Sequence, residues 1–62
     1  MTESARQHLQ SASRRLQSAA EELESALSLI PSNAAQAELH EAIGAIMDSL
    51  QLVASAHTRA GA

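Results

Sequence analysis

The sequence predicts an all-α protein, an antiparallel helical hairpin of two long helices joined by a short Pro-Ser-Asn turn, which dimerises into a four-helix bundle. Three observations carry that expectation. A seven-residue repeat runs from Thr2 as TESARQH, LQSASRR, LQSAAEE and LESALSL and closes at Ile30, so that large residues recur at Leu9, Leu16, Leu23 and Ile30 and alanines at Ala5, Ala12, Ala19 and Ala26. Such a period marks a supercoiled helix with a narrow seam facing a partner. The only proline, Pro31, stands beside Ser32 and Asn33 between two long periodic stretches. Finally, 62 residues without cysteine lie near the size where one core is marginal, and disulfides cannot supply what is missing.

The first helix is expected over about residues 3–30. Thr2 is its N-cap, and Glu3 places a negative charge in the first turn, where the helix dipole favours it. Pro31 disfavours helical geometry at Ile30 and so ends the element. The turn covers 31–33. Ser32 or Asn33 caps the next helix, with Gln36 three residues after Asn33 in a weak capping box. The second helix is expected over about residues 34–58, followed by a frayed tail at 59–62 with Gly61 as the stop signal. All of it belongs to one domain, 1–62.

The second helix carries its own seam of Leu39, Ile43, Ile46, Leu50 and Val53. Folding the chain so that facing residue numbers sum to 62 sets Leu23 against Leu39, Ala19 against Ile43, Leu16 against Ile46, Ala12 against Leu50 and Leu9 against Val53. Every central layer is then apolar, with alanine opposite a bulky residue, as an interdigitated core requires. These ten residues are the expected hairpin core. Gly44 interrupts the second helix, where it marks either a close backbone approach or an exposed position under no constraint.

So thin a seam does not offset the ordering of a whole chain, which predicts self-association. A second stripe of Ala42, Ala45, Ser49, Leu52 and Ala56, spaced three and four apart, suits another close helix contact. Arg14 and Arg15 stand seven residues before Glu21 and Glu22, a spacing that forms no pair along a helix. In a two-fold arrangement that brings helix 1 to its own copy, Arg15 comes opposite Glu22 of the second chain. Arg15, Glu22, Ala42, Ala45, Ser49, Leu52 and Ala56 are therefore the expected dimer interface.

Composition excludes several function classes. Four arginines, no lysine and seven acidic residues give a net charge of −3, without the basic footprint of a nucleic-acid or anionic-membrane binder. No apolar run is long enough to span a bilayer and no signal peptide opens the chain, so a cytoplasmic location is expected. The alanine-rich, lysine-free composition fits a bacterial, high-GC source. With no Phe, Tyr or Trp, affinity must come from aliphatic packing. Three histidines lack Glu-x-x-His spacing, and no serine has a base and an orienting group beside it, so neither a metal, a cofactor nor catalysis is expected.

Two helices, a short turn and alanine-leucine layering resemble the Rop family of plasmid-encoded RNA-binding hairpins, which dimerise into a four-helix bundle. The resemblance covers the layout. It implies an RNA-recognising face on helix 1, here Arg6, Gln10, Arg14 and Gln17, where that family uses lysines, amide side chains and a phenylalanine. The composition points elsewhere: a non-catalytic regulator or adaptor, homodimeric, whose partner is another protein rather than nucleic acid or membrane. Its candidate partner face is Gln10, Arg14, Gln17, Glu21, Leu27 and Met47, with Leu29 at the edge. The alternatives are Rop-like RNA recognition and a structural assembly subunit.

Overall fold

A computed structural model describes residues 2–61 as two α-helices packed side by side, α1 over Glu3–Leu27 and α2 over Asn33–Gly61. The hairpin is a slab whose Cα atoms extend over 45 × 15 × 9 Å. Its thickness is that of a single helix layer.

Thr2 begins α1 as expected. Its backbone is extended, its hydroxyl accepts the Ala5 N–H at 3.1 Å and its carbonyl accepts the Arg6 N–H at 3.0 Å. Glu3 and Arg6 add a 2.7 Å ion pair one turn apart, the only ion pair among the described residues.

Helix α1 stops at Leu27 rather than Ile30, and the connection is 28–32 rather than 31–33. Pro31 acts further upstream than its immediate neighbour. The Leu29 N–H turns back to the Ala26 carbonyl at 3.0 Å and the Ile30 N–H to Leu27 at 3.4 Å, so the last turn tightens into i→i+3 bonds. The Ser28 hydroxyl donates to the Ser25 carbonyl at 2.8 Å, which occupies an acceptor that the helix end leaves free. No described residue adopts a positive φ, so the connection needs no glycine.

Ser32, not Asn33, caps α2: its hydroxyl accepts the Ala35 N–H at 3.3 Å and its carbonyl accepts the Gln36 N–H at 2.9 Å. Asn33 is already the first helical residue. Gln36 therefore closes no capping box with it. Its side-chain amide instead donates to the Ile30 carbonyl at 2.8 Å in a partly buried position. At the far end α2 continues through Gly61, so residues 59–61 of the expected frayed tail are helical and Gly61 lies inside the helix. Arg59 in the last turn supplies the positive charge that the C-terminal dipole favours. The expected tail's last residue, Ala62, lies outside the described residues, as does Met1.

The facing sides follow the heptads but are wider than two positions. Leu9, Ala12, Leu16, Ala19 and Leu23 on α1, and Leu39, Ile43, Ile46, Leu50 and Val53 on α2, are each half-buried. Among the described residues one is buried, Ala20, 3% exposed, beside the two-position seam rather than in it. Ser13 and Leu27 on α1, and Ala35, Ala42 and Ser49 on α2, are half-buried as well. In the register whose facing numbers sum to 62, Ser13 meets the level of Ser49, Ala20 that of Ala42, and Leu27 that of Ala35. Two small residues at one level let helix axes approach closely, which is why an alanine is the residue sealed from water.

Two helices cannot cover each other further. A globular monomer of 6.5 kDa exposes about 3,800 Å² of surface, whereas this hairpin exposes 4605 Å².

Candidate association surfaces

Successive residues of an α-helix step round its axis by a fixed angle, so α2 presents two different edges on either side of its seam. One edge, with α1, forms a groove of about 640 Å³ near the open end of the hairpin, lined by Leu9, Gln10, Ser13, Arg14, Gln17, Val53, Ala54, His57 and Thr58. Leu9 and Val53 form its apolar floor. Gln10, Arg14 and Gln17 line one wall together, because spacings of four and three set them on one side of α1. Arg14 has no ion-pair partner among the described residues, so its guanidinium is available to an incoming acceptor. Of the remaining expected partner-face residues, Glu21 is exposed, Leu27 is half-buried and Met47 is 44% exposed, and none of the three lines the groove.

The other edge of α2 carries Ala45, Leu52 and Ala56, all exposed, with Leu52 at 70%. Ala42 and Ser49 belong to the same stripe but lean toward α1 and are half-buried. They already serve the hairpin. Arg15 and Glu22 are exposed on α1, and no ion pair joins Arg15 to any described residue. Leu29, 82% exposed, stands at the turn.

Among the described residues no cluster of three or more His, Cys, Asp or Glu could hold a metal ion. No helix among the described residues is long and apolar enough to cross a membrane. No protein-family model matches the chain, and no curated protein or solved structure matches it. The Rop-like layout therefore remains a likeness of layout, and the surfaces themselves carry the functional argument.

The heptads showed the seam but not the distribution of charge around it. Residues 16–46, the turn half in the register whose facing numbers sum to 62, hold Glu21, Glu22, Glu24, Glu38 and Glu41 and no arginine. The open half holds Arg6, Arg14, Arg15 and Arg59 against Glu3 and Asp48. In the linear sequence these charges alternate along the chain in basic, acidic and basic blocks. Folding at the turn stacks the two acidic blocks at one end, and that signal was available by reading charge against the hairpin register.

Proposed function

We propose that the chain is a non-catalytic association module, a regulator or adaptor that acts as a homodimeric four-helix bundle and presents one helical face to another protein. The observation that supports it best is the unfinished burial. Among the described residues a single alanine is buried, and the surface left exposed exceeds that of a compact monomer by about 800 Å², close to what each partner contributes to a standard interface. A second hairpin laid against the Ala45, Leu52 and Ala56 edge removes that surplus and covers Leu52. Arg15 and Glu22 flank the same interface.

The groove on the opposite edge then stays free for a protein partner. Its wall of Gln10, Arg14 and Gln17 suits hydrogen bonding to acidic or amide side chains, while Leu9 and Val53 offer apolar contact. Glu21, Leu27 and Met47 extend the same reading toward the turn, with the unbranched Met47 adapting to what it meets.

Sedimentation equilibrium tests the dimer. Twice the chain mass of 6.5 kDa at micromolar concentration is the expected result. A folded species that keeps the monomer mass as concentration rises would overturn it. The Rop-like alternative uses the same groove wall, and it replaces the adaptor reading if folded RNA binds with an affinity that falls steeply with added salt.

A further inference from the structure

Leu9 and Val53 line one groove, as the register in which residue i of α1 faces residue 62 − i of α2 requires, and heights along the long axis are counted on that register. On that scale the turn half bears five carboxylates and the open half, where Asp48 stands level with Arg14, a net side-chain charge of +2. The hairpin is an electric rod 45 Å long, several Debye lengths at ordinary salt, so each end acts on what lies directly beside it.

We infer that the second copy lies end for end with the first, the acidic turn end of each against the arginine-bearing open end of the other, along the Ala45, Leu52 and Ala56 edge of α2. This rests on the dimeric reading above and adds its direction. Side by side with turns together, two copies would bring ten carboxylates within one end of the bundle and no arginine to meet them. Like charges placed so close oppose association and select against that arrangement. End for end, the carboxylates of each turn half come level with Arg14 and Arg15 of the other copy.

The apolar groups agree with the charges. Leu29 stands at the turn and Leu52 near the open end, level with Gln10, so an end-for-end copy sets Leu29 at the height of Leu52. That same placement puts Arg15 level with Glu24 of the second copy and within about two residues, roughly 3 Å of axial rise, of its Glu22. Both ends of the arrangement repeat about a two-fold axis, so each contact occurs twice.

The chain has no cysteine, so one introduced thiol gives one spin label per copy. Ser4→Cys sits at the exposed start of α1 and Thr58→Cys at the same height on α2. Dipolar spectroscopy on the labelled dimer is expected to read about 45 Å for each variant, from 31 residue heights at 1.5 Å per residue. A separation under roughly 20 Å, two interhelical spacings, with the dimer mass intact would overturn the end-for-end direction and leave the dimer standing. Monomer mass with no intermolecular dipolar signal, in wild type as well as both variants, would overturn the dimer and the direction together.

Discussion

The side-chain amide of Gln36 donates to the main-chain carbonyl of Ile30 at 2.8 Å, tying the first turn of α2 to the residue before the proline. A glutamine in an otherwise aliphatic seam thereby answers a carbonyl of the connection, which no helix supplies with a partner. The bond crosses Pro31 and Ser32 and ties the middle of the connection to the start of α2.

Gln36→Glu keeps the shape of that side chain and removes the donor. The partly buried carbonyl then loses its partner and faces a carboxylate, a cost of about 1 to 2 kcal/mol. Thermal denaturation followed by circular dichroism is expected to show a loss of about 4 to 8 °C in Tm per kcal/mol for a domain of this size. An unchanged Tm would mean that the bond contributes nothing in solution.

Gly44 has open space where a Cβ would stand, so the close approach entertained for it does not occur within the hairpin. Gly44→Ala is expected to stabilise α2 by about 1 kcal/mol, the propensity difference at an exposed helical position. The melting temperature should rise while the sedimentation mass stays as in wild type. A lower mass would show instead that a second chain packs against that backbone.

Ala20 is the most tightly enclosed residue, and Ala20→Leu adds volume where the helices come closest. Overpacking of this kind costs about 1 to 3 kcal/mol or forces the helices apart. Guanidinium denaturation, comparing Ala20→Leu with Ala20→Ser, separates a volume effect from a polarity effect. Equal stability of Ala20→Leu and wild type would contradict the close approach.

Leu52→Glu changes a side chain that the hairpin itself leaves exposed, so helicity in the single chain should survive. In the proposed dimer the same change buries a carboxylate, and association is expected to fall below detection at micromolar concentration. Sedimentation velocity reads the result directly. Retention of the wild-type profile would assign Leu52 to solvent.

Arg15→Glu is expected to weaken the dimer by about 5- to 30-fold, since two symmetry-related contacts of up to roughly 1 kcal/mol each are lost. Adding Glu22→Arg should restore it. If the double variant associates no better than the single one, these residues do not face one another.

How much of this was legible beforehand differs from element to element. The repeat at Leu9, Leu16 and Leu23 and the lone proline led to two facing helices, because a sustained period of seven has few other solutions. Ala20 escaped notice since a two-position seam is the minimal coiled-coil pattern, whereas helices with small residues on one flank pack over three positions. The end of α1 was misplaced by reasoning from Pro31 alone: Ser28 bonding back to Ser25, and the tightened turn over Leu27 to Ile30, are side-chain and backbone competitions that periodicity does not register. The choice of Ser32 over Asn33 as the cap turns on one residue of register in a short connection. For the association surfaces, the Gln10, Arg14 and Gln17 wall follows from helical spacing, but the groove beside it depends on where Val53 and His57 arrive from the other helix.

The link from Ser28 to Ser32 contains no left-handed residue, and its polar ends are satisfied within the two helices it joins. Nothing in its backbone demands a particular amino acid beyond the ring of Pro31. Length can therefore be added there at small entropic expense, on the order of 0.6 kcal/mol for each doubling of the loop. A fluorophore peptide or an epitope spliced between Leu29 and Ile30, where the Gln36 bond to the Ile30 carbonyl is kept, would ride on the hairpin as a flag, which makes this bend the natural handle for following the molecule in a cell.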